Sequence, residues 1–235
     1  MIGTRHGIIF GASAGVGAAL ASILSQRDKL TFVSRRGTVP ADAVGASIRC
    51  DVRDYEAVYA AINSTSADLD YVISCVGVGY FAPFTKDNSH WWREIVGTNL
   101  NGNINILSAT TRLRPNCRQI VVAGSVAARR MSRTPGNQVY RASKAALSAF
   151  LDDIRYDLRI AGSRTKICNL APGFIEGTDF SRRFYDSEEK PGGNICGQFP
   201  GLTPEQVANV VSWVLNSESN VDISELTVRP TAQPD

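Results

Sequence analysis

The stretch Gly7-Ile-Ile-Phe-Gly-Ala-Ser-Ala-Gly-Val-Gly17 decides the fold, because it joins an apolar strand to a glycine-rich turn and the start of a helix. The helix continues as Ala18-Ala-Leu-Ala-Ser-Ile-Leu24. Glycines let the backbone approach a pyrophosphate closely, and the first turn of a helix offers free N–H groups and a partial positive charge. The Gly-x-x-x-Gly-x-Gly spacing of residues 11, 15 and 17 therefore indicates a phosphate-binding turn, although a tight turn without a ligand has the same pattern.

Helical patterns and apolar runs alternate along the rest of the chain. The helical patterns include Tyr55 to Asn63, a segment from Trp91, a long segment through Ile160, and a segment that begins with the capping-box pattern Thr203-Pro-Glu-Gln. Six further runs have the length of buried strands: 30–33, 46–50, 71–76, 118–123, 166–170 and 226–229. This alternation predicts a single α/β domain over residues 1–235. We expect a Rossmann fold, with a doubly wound parallel sheet of about seven strands and helices on both faces.

Composition limits the classes of function. The chain has 235 residues, 43% of them hydrophobic, and a net charge of +3 with acids and bases interspersed, so nothing favours a nucleic-acid partner. No run approaches the ~18 apolar residues that a membrane helix needs, and no hydrophobic leader is apparent. We therefore expect a soluble cytoplasmic protein that does not bind membranes. The five cysteines are scattered, and His6 and His90 complete no ligand set, so we expect reduced thiols and no metal.

The second apolar run ends in Ser34-Arg35-Arg36, which bears on the choice of nucleotide. In dinucleotide folds an acid near this point binds the 2′-hydroxyl of NAD, whereas an arginine accommodates the 2′-phosphate of NADP. Two arginines are present in place of the acid, so the sequence favours NADP(H), with a solvated basic loop as the alternative. Asp51 follows the third run, where its carboxylate would bind an adenine amino group or cap the helix that begins near Tyr55.

A tyrosine and a lysine, Tyr140 and Lys144, lie four residues apart in the stretch that begins at Gln138. On a helix this spacing brings a phenol and an ammonium to one face. A tyrosine hydroxyl has a pKa near ~10 in isolation, and a neighbouring cation favours its ionised form, so the pair predicts a proton-transferring group. The motif alone is weak evidence, since it recurs by chance on surface helices. Ser125 lies just past the fifth run, where open α/β sheets bind their ligands.

Taken in order, these motifs resemble those of the short-chain dehydrogenase/reductase family, and the resemblance covers essentially the whole chain. The matching residues are Gly11, Gly15, Gly17, Asp51, Asn99, Ser125, Tyr140, Lys144, Pro172 and Gly173. The chain departs from the family pattern at Phe10, where a threonine is usual, and at Ser74-Cys-Val-Gly77, where Asn-Asn-Ala-Gly is usual. Gly177 has the place of an insertion before Thr178.

The resemblance implies a catalytic set of Asn99, Ser125, Tyr140 and Lys144. Tyr140 would act as the general acid or base, and Ser125 would orient the substrate carbonyl. Lys144 would lower the pKa of Tyr140 and bind the nicotinamide ribose, and Asn99 would hold a relay water. The expected NADP(H)-binding residues are Gly11, Ser13, Ala14, Gly15, Val16, Gly17, Ser34, Arg35, Arg36, Asp51, Val52, Gly77, Asn99, Tyr140, Lys144, Pro172, Gly173, Ile175 and Thr178.

The implied reaction is NADP(H)-dependent interconversion of a ketone or aldehyde and an alcohol. Family resemblance also implies a homodimer or homotetramer built through residues 88–110 and 140–160. Two alternatives stay open. One is an NADPH-binding sensor without turnover, and the other is a non-redox dehydratase or epimerase on the same fold.

The sequence leaves the small-molecule substrate open. Residues 179–200 have no clear periodicity, so we expect a substrate lid over about 176–203, or a disordered segment. Nearby arginines would either bind an acid group of the substrate or be solvated. They are Arg129, Arg130, Arg133, Arg141, Arg182 and Arg183. Phe174, Phe180, Phe184 and Tyr185 would line an apolar pocket or pack the lid onto the body.

Overall fold

The computed structural model describes residues 4–65, 68–129, 136–185 and 198–234. Its strands are β1 (His6–Phe10), β2 (Lys29–Ser34), β3 (Ala46–Arg49), β4 (Tyr71–Ser74), β5 (Gln119–Ala123), β6 (Lys166–Pro172) and β7 (Glu225–Val228). Its α-helices are α1 (Gly15–Leu24), α2 (Tyr55–Asn63), α3 (Ser89–Val96), α4 (Gly102–Leu113), α5 (Gln138–Ile160), α6 (Asp179–Tyr185) and α7 (Pro204–Leu215). A π-helical turn, Gly97–Asn101, joins α3 to α4, and a 3-10 turn, Val126–Ala128, follows β5.

The seven strands form one parallel sheet in the order β3-β2-β1-β4-β5-β6-β7. Successive side chains of a strand point to opposite faces, so Ile8 and Phe10 join one core while Ile9 joins the other. The first core is completed by residues of α2, α4 and α5, and the second by residues of α1 and α7. The predicted doubly wound α/β fold is confirmed. Strand order changes direction between β1 and β4, which is where such folds bind ligands.

Local predictions hold where the pattern is strong and fail where it is weak. The capping box at Thr203 is present, with the Thr203 and Gln206 side chains each bonded to the other's backbone N–H. The alternative role of Asp51 as a helix cap is wrong, because Asp54 caps α2 by accepting hydrogen bonds from Glu56 N and Ala57 N. Residues 179–185 of the segment without clear periodicity form the helix α6, and residues 186–197 of the expected lid lie outside the described residues.

The π-helical turn is held in place by a buried polar chain that reaches the end of β4. Ser74 Oγ donates to Asn103 Oδ1 at 2.6 Å, and Asn103 Nδ2 donates to the Asn99 carbonyl at 2.8 Å. Ser74, Asn99 and Asn103 are all fully buried. Because buried polar groups without partners cost stability, this chain fixes the end of β4 relative to the turn that carries Asn99.

In the part of the chain that the structure describes, no helix is both long enough and apolar enough to cross a membrane. The expected oligomer and the cytoplasmic location stay predictions.

Replacement of Asn103 with alanine tests this polar chain. We expect Asn103→Ala to lower the free energy of unfolding by about 2 kcal/mol, because the Ser74 hydroxyl and the Asn99 carbonyl both lose a buried partner. Urea denaturation measures the change. Asn105→Ala is the control, since the Asn105 amide donates to Val52 O from a half-buried position and should cost less. Equal stability of Asn103→Ala and the wild-type protein would contradict a stabilising role for the Asn103 hydrogen bonds.

Candidate active site

A cleft of about 820 Å³ opens at the carboxyl ends of the strands, around the β1–β4 switch point. It is lined by the glycine turn, by residues that follow β2 to β6, by Tyr140 and Lys144 of α5, and by part of α6. Parallel strands direct their carboxyl ends to the same edge of a sheet, and this explains why residues so distant in sequence meet there.

The glycine turn has the geometry of a phosphate cradle. Gly11 has φ +81° and Gly15 has φ +54°, a left-handed region that L side chains rarely adopt. A Cβ on Gly17 would lie 2.2 Å from the Gly11 carbonyl oxygen, so Gly17 permits the close packing of the turn onto α1. Among the residues that the structure describes, no side chain caps the first turn of α1 at Ala14, and this turn contains no acidic residue. The N–H groups at this end therefore fit an anionic ligand.

The two arginines after β2 are paired with different helices. Arg35 Nη1 lies 3.2 Å from a carboxylate oxygen of Glu94 on α3. Arg36 Nη2 lies 3.2 Å from Asp179 on α6, and Arg36 Nε donates to Ser13 Oγ at 3.2 Å. Both side chains are about half exposed. Arg36 thus lies beside the glycine turn, whereas Arg35 is drawn toward α3.

Asp51 lies in the cleft beyond β3, and its main partner is Arg53. Arg53 Nη2 approaches Asp51 Oδ2 to 2.5 Å, and the Arg53 hydrogen bonds hold the pKa of Asp51 below its usual range. The carboxylate is therefore ionised at neutral pH and keeps acceptor capacity for an adenine amino group.

Tyr140 is 9% exposed, and its ring packs among Val78 and Ile95. Burial raises its pKa to about 12, and a hydrogen bond with the half-buried Ser125 acts in the opposite direction. The pKa of Tyr140 is therefore raised, contrary to the expected lowering by Lys144, because burial of the phenol outweighs the Ser125 hydrogen bond. Ser125 Oγ also accepts from Ala127 N at 3.1 Å, which fixes the hydroxyl at the start of the 3-10 turn.

Lys144 is 4% exposed, and its ammonium donates to the Ala123 carbonyl at the end of β5 at 2.7 Å. Burial lowers its pKa to about 8. A Cβ added to Gly77 would lie 3.3 Å from Lys144 Nζ and 3.7 Å from Asn99 Oδ1. The absence of a side chain at Gly77 therefore leaves space for both the ammonium and the Asn99 amide.

Asn99 is fully buried behind the cleft. Its Oδ1 accepts from Val78 N at 2.8 Å, and its Nδ2 donates to Val78 O at 2.9 Å and to Ser143 Oγ at 3.1 Å. These bonds join the loop after β4 to α5. A relay water would therefore use the Asn99 carbonyl, which already accepts from Asn103 and has a second lone pair.

Most of the predicted site residues line this one cleft. They are Gly11, Ser13, Ala14, Gly15, Val16, Ser34, Arg35, Arg36, Asp51, Val52, Gly77, Ser125, Tyr140, Lys144, Pro172, Gly173, Ile175 and Thr178. Gly17 and Asn99 do not line it and lie beneath its wall. Thr178 faces Gly15 through its methyl group, while its hydroxyl accepts from Ser181 N at 3.0 Å at the start of α6. The roles of all these residues stay predictions.

The structure adds residues that pattern reasoning missed. Thr98 lines the cleft at 5% exposure, and its hydroxyl has no partner among the described residues. In the sequence, the one sign that Thr98 belongs to the cleft is its position directly before the predicted site residue Asn99. Gln233 accepts from Phe174 N at 2.9 Å, and a Cβ on Gly173 would lie 2.2 Å from the same Gln233 oxygen. The residues after β7 therefore pack against the segment that follows β6 and fix its position. No local sequence motif predicts this long-range contact.

The chain belongs to the short chain dehydrogenase family, whose model matches residues 5–189. A relative from Haemophilus influenzae, described as a probable NADP-dependent dehydrogenase, is 27% identical over 98% of this chain and 95% of its own length.

Two solved structures share the fold. The closed form of serine dehydrogenase complexed with NADP+ has a TM-score of 0.82 at 23% identity, covering 98% of this chain and 97% of that one. An alcohol dehydrogenase from Thermococcus sibiricus, complexed with 5-hydroxy-NADP, has a TM-score of 0.78 at 21% identity, covering 99% of both chains. These structures support the fold, and the family match makes the protein a dehydrogenase-family oxidoreductase.

Replacement of Lys144 with methionine tests how much the burial of the Lys144 ammonium costs in stability. The lowering of the Lys144 pKa from 10.5 to about 8 corresponds to a cost of roughly 3 kcal/mol at pH 7. Loss of the bond to Ala123 offsets about 1 kcal/mol of this. We expect Lys144→Met to raise the free energy of unfolding by about 2 kcal/mol at pH 7.

The sign of the pH dependence follows from the lowered pKa. Between about pH 8 and 10.5 the unfolded state binds more protons at this residue, so the wild-type protein gains stability relative to Lys144→Met as pH rises. Lys29→Met, which removes an exposed ammonium, is the control and should show no such change. Urea denaturation at several pH values measures both variants. A destabilised Lys144→Met protein with no pH-dependent difference would contradict the account.

Proposed function

We propose that the protein is an NADP(H)-dependent oxidoreductase that interconverts a ketone or aldehyde and an alcohol. The observation that carries the proposal is that Tyr140, Ser125 and Lys144 share one cleft with the glycine turn. An anion-binding turn and an acid–base group are both needed when a dinucleotide reacts with a bound carbonyl compound.

The residues of the cleft fit the cofactor. Within the described part of the chain, the N-terminus of α1 has no side-chain cap and the Thr98 hydroxyl has no partner. The first feature suits a pyrophosphate, and the second suits a polar ligand. Arg36 and Ser13, which already touch, would hold the 2′-phosphate of NADP(H). Asp51 would hold the adenine, and Lys144 the nicotinamide ribose. NADP(H) would supply hydride for the carbonyl carbon. The names of the relatives, one NADP-dependent and two structures holding NADP compounds, support this choice.

The chain's own residues supply the acid–base chemistry. In the reductive direction Ser125 donates a hydrogen bond to the substrate oxygen and orients the carbonyl. Tyr140, whose raised pKa keeps it protonated at neutral pH, gives its proton to that oxygen. Lys144 supplies positive charge beside the site, and the Asn99 carbonyl holds the water that returns the proton.

The decisive experiment compares Tyr140→Phe with wild-type protein in NADPH oxidation against a panel of ketones. General acid–base steps contribute ~10²–10⁴-fold, so we expect turnover to fall by about that factor while NADPH still binds. Tyr156→Phe, which alters a 68% exposed side chain, is the matched control and should keep full activity. Near-normal turnover by Tyr140→Phe would refute the assignment.

Arg36 is a better candidate than Arg35 for the residue that selects NADP(H) over NAD(H). We expect Arg36→Ala to raise the Kd for NADPH by about 10- to 100-fold and to leave NADH binding unchanged, since only the 2′-phosphate loses charge-assisted hydrogen bonds. Arg35→Ala, whose side chain pairs with Glu94, should have a smaller effect. Fluorescence titration with both nucleotides measures this. Tighter binding of NADH than NADPH by the wild-type protein would contradict the proposal.

A further inference from the structure

The ring of Tyr140 is in contact with two phenylalanines of α6. The ring centroids of Tyr140 and Phe180 are 5.1 Å apart, and those of Tyr140 and Phe184 are 6.2 Å apart. Phe180 and Phe184 stack with parallel rings at 5.8 Å. Phe184 is 2% exposed, and both rings line the cleft. We call these two side chains the aromatic wall.

The loop after β4 has a glycine, Gly79, where it contacts the aromatic wall. A Cβ added to Gly79 would lie 2.3 Å from Cε2 of Phe180, closer than real Cβ contacts allow. Phe180 therefore keeps its position only because residue 79 has no side chain. At Gly79 the backbone thus lies close to an aromatic ring that itself faces Tyr140.

Several charged groups of α6 and of the neighbouring loops form ion pairs within the part of the chain that the structure describes. Asp179 accepts from Arg182 and Arg36, and these hydrogen bonds hold its pKa below the usual range. Arg183 lies 3.7 Å from the same carboxylate. Arg129 pairs with Glu225. Arg141 also has a partner. Arg130 and Arg133 lie outside the described residues. The four described arginines of the sequence-based set are thus engaged within the protein.

We propose that the aromatic wall is the substrate-specificity surface, and that the substrate is an uncharged carbonyl compound with an apolar ring beside its carbonyl. This inference rests on the proposed function, since it places the substrate at Tyr140. A flat ring packs on Phe180 and Phe184 at ordinary aromatic distances. An acid group in that position would lose its hydration beside two apolar rings.

A matched pair of ketones tests the wall. We expect kcat/KM to be at least about 10-fold higher for 4-methylacetophenone than for 4-acetylbenzoate, which differ only in an apolar or an anionic para substituent. Phe184→Ala should lower kcat/KM for 4-methylacetophenone by about 10-fold and lower that for butanone by a smaller factor. Gly79→Ala should act in the same direction by displacing Phe180. Phe84→Ala, which removes a 71% exposed ring outside the cleft, is the matched control.

The outcomes separate this inference from the proposed function. Preference for 4-acetylbenzoate that is lost in Arg183→Gln would overturn the wall and leave the oxidoreductase intact. Calorimetric binding of 1-(4-methylphenyl)ethanol to the NADP+ complex tests the wall without turnover. Binding that weakens in Phe184→Ala supports it, and absence of binding to the wild-type complex overturns it. NADPH binding with no turnover of any ketone would instead overturn the proposed function.

Discussion

The Lys144 ammonium is buried at the carboxyl end of β5 and held by the Ala123 carbonyl, and the arrangement of the site depends on this contact. A buried cation is costly unless it is hydrogen-bonded, so β5, Gly77 and α5 must keep their relative positions. The polar chain from Ser74 through Asn103 to Asn99 fixes the same region from the opposite side. The folded state therefore keeps a charged group where its own stability would favour an apolar one. Such a cost is typical of functional sites.

The fold follows from features that are local in sequence. The strand, glycine turn and helix at residues 7–24, the apolar runs and the Thr203 capping box each correspond to an element of the structure. Their bounds shift by a few residues, because hydrogen-bond pairing and not hydrophobicity decides where a strand ends. The helix α6 was not predictable, since its short polar and aromatic sequence is stabilised by contacts to Tyr140 and Arg36 that come from elsewhere in the chain.

Which residues line the cleft was largely predictable from the sequence, whereas the electrostatics of those residues were not. Residues after successive parallel strands meet at one edge, which is why the predicted residues converge except for Gly17 and Asn99. The direction of the Tyr140 pKa depends on burial by α6, and the pairing of Arg36 with Asp179 joins residues 143 positions apart. Gln233 reaches Phe174 in the same long-range way. Motif spacing carries no information about such contacts.

Hydride transfer is the central claim, and an isotope-transfer measurement tests it most directly. The protein would be incubated with 4-methylacetophenone or another ketone that it reduces and with NADPH carrying deuterium on the transferable C4 position, and the alcohol analysed by mass spectrometry. The account predicts one deuterium on the former carbonyl carbon, with the opposite C4 epimer of the label giving none. An alcohol free of deuterium from both epimers, or tight NADPH binding with no alcohol from any ketone of the panel, would contradict it.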